Sequence, residues 1–171
     1  MPDSRKHLAT FASALVIAAV MTLMVASSVV AKGPTVAHRV SVGGPDACTA
    51  LDFRPGCDGN YSLVATQYTD GTASGQYTDR FSRGGGIIGV VDCVRVVGNQ
   101  AWVSGWITTG GIGDDDFTGL PFTTLVVDNG TSANQPPDQI SSSHTGDTTP
   151  CSEMVAWDNL FDIPEGQVTV K

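Results

Sequence analysis

Positive charge is scarce in this sequence. Lys and Arg together number 9, whereas Asp and Glu number 17, so that the formal net charge is −8 at pH 7. Phosphate backbones and anionic lipid surfaces repel a chain of this sign. We therefore expect no nucleic-acid partner. The same excess of negative charge also has a simple physical role, because it keeps a protein soluble.

Residues that carry out catalysis are also few. Beyond residue 31 the only histidines are His38 and His144, and there is no Gly-x-Ser-x-Gly motif. Gly84-Gly85-Gly86 is not followed by Lys-Ser or Lys-Thr, so it does not match a phosphate-binding loop. We predict no catalytic residues and no cofactor. A carbohydrate hydrolase that acts through two carboxylates stays open as an enzymatic alternative.

A long apolar run occurs only at the start of the chain. The basic residues 5–7 precede an uncharged run over residues 8–25, and small residues then lead to Ala31. This order is typical of a helical signal peptide, here residues 1–31, that is cleaved after export, with Thr35-x-Ala37 as a second cleavage site. An uncleaved membrane anchor is the alternative, because residues 8–31 are about long enough to span a bilayer.

Cleavage after Ala31 would leave residues 32–171 as a single secreted domain. Its loss of Arg5, Lys6 and Asp3 changes the net charge from −8 to −9. A chain of this length can bury its own core without a metal or a partner. We expect no membrane contact after cleavage, and an extracellular ligand or protein of unknown identity as the partner.

All four cysteines follow the predicted leader. An even number of cysteines in a secreted chain favours two disulfides, for which three pairings are open. We favour Cys48–Cys57, because both lie in one loop rich in Gly, Pro and Asp, and this leaves Cys93–Cys151. Zinc is the weaker alternative, because the spacings lack a Cys-x-x-Cys pair and the compartment favours oxidation. We predict no metal site.

Gly, Ser, Thr, Val and Asp are common in the remaining chain, and residues that favour helices are scarce. This composition is typical of strands joined by tight turns. Short strand patterns recur with a turn about every 8–12 residues, which predicts an all-β antiparallel barrel or sandwich of about seven to nine strands. We favour a barrel slightly, because closure protects the edge strands.

Two hairpins give the clearest strand patterns. Asp70-Gly71 predicts a two-residue turn that places Val64 opposite Tyr77, with both side chains on the inner face. Gly98-Asn99 predicts a second two-residue turn. Both faces of this second hairpin carry apolar residues, so we expect it to be central and covered on both sides.

The second hairpin also carries the candidate ligand-binding residues, namely Asp92, Arg95, Trp102 and Trp106. The predicted register places Asp92 on the apolar inner face beside Gly105, where a carboxylate would mark a small ligand pocket. It places Arg95 opposite Trp102, a pairing that suits a stacked surface for a sugar or an acidic partner. The simpler interpretation is a structural carboxylate and two indoles that only pack against the sheet.

Asp114-Asp115-Asp116 suggests a calcium site, since calcium prefers oxygen ligands. Adjacent carboxylates on an extended chain alternate in direction, however, and the spacing lacks the Asp-x-Asp-x-Asp-Gly pattern. A solvated loop is the better interpretation.

Three stretches of the sequence resemble a known group. They are Val91-Asp92-Cys93-Val94-Arg95-Val96-Val97-Gly98-Asn99-Gln100-Ala101-Trp102-Val103-Ser104-Gly105, Val127-Asp128-Asn129-Gly130 and Pro136-Pro137-Asp138-Gln139-Ile140-Ser141. The chain is similar here to uncharacterised secreted bacterial β-rich proteins of the post-COAP domain type. The resemblance covers roughly residues 61–143 and implies an extracytoplasmic β domain. It implies no activity and no functional residues.

The sequence therefore favours a secreted, non-catalytic β domain that acts as a binding or interaction module. A barrel that carries a small ligand in its interior is the main alternative, and the carboxylate hydrolase is the third.

Overall fold

The computed structural model describes residues 33–45, 60–81, 84–132, 134–157, 160–163 and 166–171. The predicted leader and the predicted Cys48–Cys57 disulfide lie outside these residues. Among the described residues there is no helix long and apolar enough to cross a membrane. The described elements are eleven strands and one short 3-10 helix, η1: β1 Val36–Pro45, β2 Asn60–Tyr68, β3 Ala73–Arg80, β4 Gly86–Val97, β5 Gln100–Ile112, β6 Asp115–Asp116, β7 Pro121–Val127, β8 Gln139–Ser141, β9 His144–Thr145, η1 Cys151–Glu153, β10 Leu160–Asp162 and β11 Gln167–Val170.

The strands form one antiparallel sheet in the order β10-β8-β7-β5-β4-β3-β2-β1-β11, with β6 beside β5 and β9 beside β7. The sheet curls into a half-barrel around one core. The all-β class is therefore confirmed. The count exceeds the seven to nine strands predicted, because β6 and β9 are two-residue segments that leave no alternating pattern to detect.

The first hairpin is shifted by one residue from its predicted register. Leu63, not Val64, lies opposite Tyr77, and the loop contains three residues, with Gly71 at a φ of 87°. Because side chains alternate along a strand, this shift turns all of β2 over. Leu63 is therefore buried, and Val64 lies on the outer face with 59% of its surface exposed.

The second hairpin has the predicted turn at Gly98-Asn99 and the predicted register from Val97↔Gln100 as far as Cys93↔Ser104. A bulge at Asp92 then interrupts the ladder, because Val91 pairs with Gly105 and leaves Asp92 as the extra residue. The predicted inner position of Asp92 is consequently wrong. Its carboxylate lies exposed on the outer face.

Aromatic rings fill the interior beside this hairpin. The fully buried Tyr77 stacks on Phe122, with ring centroids 4.6 Å apart. A Cβ atom added at Gly89 would lie 2.7 Å from the Phe122 ring, and one at Gly105 would lie 3.0 Å from it. The ring therefore occupies the space where we expected a ligand pocket.

A segment over residues 147–157, which we call the strap, covers part of the outer face. Its Cys151 packs with Trp102, Leu125 and Val127 of the sheet into a second, smaller core. The Cys93–Cys151 disulfide, with Cα atoms 5.9 Å apart, attaches the strap to β4. The prediction that these two cysteines pair is confirmed. The outer side of the hairpin is thus covered over Trp102 and Cys93, whereas Arg95 and Val97 beside the turn, and the part of the hairpin beyond the bulge, stay exposed on that side.

Two aspartates hold the last strand in place. Asp138 is buried and accepts hydrogen bonds from the backbone N–H groups of Asn129, at 2.7 Å, and Val168, at 2.6 Å. Asp128 accepts one from the N–H of Val170 at 2.9 Å. The loop after β7 therefore meets β11 through side-chain carboxylates.

Candidate functional site

A cleft of about 190 Å³ lies between the first residues of the strap and the outer face of the sheet. Its walls come from the β4 bulge, from residues 104–106 of β5, from the start of β7 and from residues 147–150 of the strap. Two of the four predicted ligand-binding residues, Asp92 and Trp106, line this cleft. The bulge brings them together, because it directs Asp92 to the same face as Trp106.

Trp106 forms the exposed wall of the cleft. Half of its surface is accessible to solvent. Its indole N–H donates a hydrogen bond to Oδ2 of Asp92 over 2.9 Å. A large indole that is fixed in orientation and remains exposed provides an apolar surface on which a ligand can stack.

Asp147 contributes a second carboxylate to the lining. The backbone N–H of Thr149 donates to its Oδ1 over 2.8 Å. The hydrogen bonds from the Thr149 backbone and side chain lower the pKa of Asp147 below its usual value. This carboxylate is therefore ionised at neutral pH, which suits an acceptor for ligand hydroxyl groups and is the opposite of what a general acid needs.

Arg95 and Trp102 lie elsewhere. They face each other in the predicted register, and Arg95 is exposed. Trp102 is only 8% exposed, because it lies beneath the strap, and its indole N–H donates to the backbone carbonyl of Val155 over 2.8 Å. Trp102 therefore packs the second core and presents no open ring face for stacking.

A stacked ring pair connects β9 with the last residue of the strap. The rings of His144 and Trp157 are 3.7 Å apart at the centroids, with an angle of 11° between their planes. Burial lowers the pKa of His144, and the nearby Asp147 partly opposes this effect. The imidazole is therefore neutral at pH 7.

The acidic run of residues 114–116 lies at the β5–β6 turn and is exposed. Asp116 accepts a hydrogen bond from the backbone N–H of Thr118 over 2.8 Å. Among the described residues, no group of three or more His, Cys, Asp or Glu side chains could hold a metal ion.

Sequence reasoning missed the strap side of the cleft. Asp147 and Thr149 occur in a Ser/Thr/Gly-rich stretch that reads as an ordinary loop. Only Cys151, through its predicted bond to Cys93, could have indicated that this stretch crosses the outer face beside Trp106.

No family model matches this chain, and no curated protein or solved structure does either. The resemblance to post-COAP domain proteins therefore stays a prediction from the residues that carry it.

Proposed function

We propose that this protein is a secreted, non-catalytic binding module whose ligand occupies the cleft beside Trp106. The observation that carries the proposal is the half-exposed indole, which a hydrogen bond to Asp92 holds at the mouth of the cleft. A large aromatic side chain usually hides its surface, so one that is exposed and also fixed in place suggests a contact with a ligand.

The size of the cleft limits what it accepts. At about 190 Å³ it is smaller than the roughly 300–1,000 Å³ of pockets that enclose drug-sized molecules. A single small ring, or the end of a longer molecule, matches this volume. The remainder of a longer ligand therefore extends out of the cleft, either over the exposed sheet or into the solvent.

Binding is a better use of this cleft than hydrolysis. A glycosidase needs one protonated carboxyl group beside one ionised carboxylate. The lowered pKa of Asp147 removes one of the two lining carboxylates from the role of acid, and the Asp92 carboxylate already accepts a hydrogen bond from Trp106.

Export accounts best for the described disulfide, since disulfides persist in oxidising compartments. We also prefer Ala31 to Ala37 as the cleavage site. Cleavage after Ala37 would remove Val36 of β1, which pairs with Tyr68 of β2. It would also remove the Thr35 carbonyl, which accepts a hydrogen bond from the N–H of Thr69 over 2.8 Å.

A fragment screen by saturation-transfer NMR tests the binding function. We expect fragments that bind the wild-type protein to bind more weakly to Trp106→Phe and to show no binding to Trp106→Ala. Leu120→Ala, which also removes an exposed apolar side chain, is the matched control and should bind normally. Equal binding to all four proteins, or turnover of a bound ligand, would contradict the proposal.

A further inference from the structure

Trp106 is the end of a row of exposed side chains that crosses four strands. Val64 on β2 lies opposite Gln76 on β3, Gln76 lies opposite Val90 on β4, and Val90 lies opposite Trp106 on β5. All four side chains are exposed; Val90, for example, has 44% of its surface accessible. We call these four residues the outer row.

Hydroxyl groups border the outer row on both sides. One side of the row is bordered by the opposed pair Ser62 and Thr78, with the exposed Ile88 beside Thr78 on β4. The other side is bordered by the opposed pair Thr66 and Ser74. None of these side chains is ionisable, and neither is any in the row itself. Asp92, whose carboxylate accepts the hydrogen bond from Trp106, and Asp147 are the carboxylates at the cleft end of the row.

The outer row itself carries no charge, which is informative in a protein with a net charge of −8. The nearest cations on this face lie beyond its hydroxyl border, Arg39 opposite Thr66 and Arg80 opposite Asn60, and both are exposed. A cationic ligand would bind better to the many carboxylates on the rest of the protein surface. An anionic ligand would have no positively charged side chain to bind within the row. An apolar row with hydroxyl and amide groups along it matches a neutral sugar chain, whose rings combine apolar faces with hydroxyl edges.

From the row and the cleft together we infer that the ligand is a neutral glycan chain, with its terminal ring in the cleft against Trp106 and the following rings over Val90, Gln76 and Val64. This inference rests on the proposed function. Three strand spacings of about 4.8 Å separate Val64 from Trp106, so the row is roughly 14 Å long and accommodates an oligosaccharide.

A second copy of the chain fits this surface less well. The outer row lies on the convex side of a curled sheet. Two convex surfaces touch along a narrow strip, whereas a stable protein interface buries about 1,200–2,000 Å². A flexible glycan can follow the curvature instead.

Calorimetric titration with linear neutral oligosaccharides of one to six rings, both α- and β-linked, tests the inference. We expect the affinity to rise by about tenfold or more between one and four rings, because each added ring gains contacts along the row. Val64→Thr and Val90→Thr preserve β-branching and hence the strand, but remove an apolar contact. Each should weaken the binding of four rings about threefold and leave single-ring binding unchanged.

Val97→Thr is the matched control, because Val97 is equally exposed on β4 but lies outside the row. Affinity that does not depend on chain length, or sugars that fail to bind although the fragment screen finds Trp106-dependent ligands, would overturn the glycan inference and leave the binding function standing. Self-association that Val64→Thr abolishes would assign the row to a second copy. If neither fragments nor sugars bind in a Trp106-dependent way, the proposed function itself fails.

Discussion

Aspartate carboxylates hold many of the turns of this fold. Asp70, Asp116 and Asp147 each accept hydrogen bonds from the Thr two residues further on, through its side chain and its backbone N–H. These bonds lower the pKa of all three groups, with the side-chain bond as the larger cause for Asp70 and Asp116 and the backbone bond for Asp147. A short carboxylate can reach its own turn in this way, which the longer Glu side chain does less well. This preference explains why Asp rather than Glu stands at these three turns.

Asp138, which binds two distant backbone N–H groups, should matter more for stability than the turn carboxylates. Asp138→Ala leaves the N–H groups of Asn129 and Val168 without their acceptor, so we expect the free energy of unfolding in urea to fall by about 3 kcal/mol. Asp138→Asn retains one acceptor oxygen and should lose less. Asp162→Ala, which removes an exposed carboxylate bonded to the Gln139 side chain, should change stability by less than about 0.5 kcal/mol. Equal losses for Asp138→Ala and Asp162→Ala would refute this role.

Asp92 should affect ligand affinity more than stability. Asp92→Ala frees the Trp106 indole to adopt other rotamers, so we expect binding of the fragment ligands to weaken by about three- to tenfold. Asp92→Asn retains an acceptor for the indole N–H and should bind nearly as the wild type does. Titration of both variants, monitored by tryptophan fluorescence, is the measurement. An equal loss for Asp92→Asn and Asp92→Ala would show that the negative charge, rather than the position of the indole, matters.

His144 should make the protein less stable in mild acid. Its pKa is lowered in the folded state, so between that pKa and the unfolded value of about 6.5 the unfolded chain binds more protons. Stability should therefore fall as the pH decreases from 7.5 through 6.5 and should level off below the folded pKa. Thermal unfolding as a function of pH measures this slope. His144→Phe keeps a ring against Trp157 and should flatten the slope; an unchanged slope would assign it to other groups.

At the level of the elements, one residue in a turn determined whether the sequence prediction succeeded. Gly98-Asn99 is a two-residue turn, and the register next to it is as predicted. Asp70-Gly71 belongs to a three-residue loop, because the Thr72 N–H and hydroxyl both bind Asp70 and extend the turn. The strands themselves were predictable, whereas which face of β2 is buried depended on this one residue.

The strap should depend on its disulfide. Replacement of both Cys93 and Cys151 by alanine removes a link across 58 residues of sequence, which should lower the free energy of unfolding by about 4 kcal/mol. The strap should then open more often, and Trp102 should become accessible to acrylamide. A Trp106→Phe background lowers the contribution of the exposed indole to the signal. Unchanged quenching would mean that the second core holds the strap without the disulfide.

For the whole molecule, the sequence predicted the all-β class and the Cys93–Cys151 pair. It named Asp92 and Trp106 as candidate ligand-binding residues but placed Asp92 on the wrong face. It did not predict the curl of the sheet or the strap, because both depend on contacts between segments far apart in the chain. The bulge at Asp92 is the clearest example. Nothing in the alternation of β4 reveals it, and yet it decides that Asp92 and Trp106 meet outside the half-barrel.

The position of leader cleavage can be tested on the folded domain. A chain that begins at Lys32 retains all of β1, whereas a chain that begins at His38 loses the Val36↔Tyr68 pair and the hydrogen bond to Thr35. We expect the shorter chain to be less stable by about 1–2 kcal/mol in urea unfolding. If the chain is exported as we propose, mass spectrometry of the mature protein should find Lys32 as its first residue. Equal stability of the two chains would remove this reason to prefer Ala31.

The two carboxylates that bind β11 affect how the protein behaves at high concentration. Alternate N–H groups of this strand point away from β1, and those of Val168 and Val170 are already taken by Asp138 and Asp128. A neighbouring molecule that tried to add its own strand there would find no donors to template it and would meet two negative charges. β11 is thereby protected against the edge-to-edge pairing that would join one molecule to the next in a fibril.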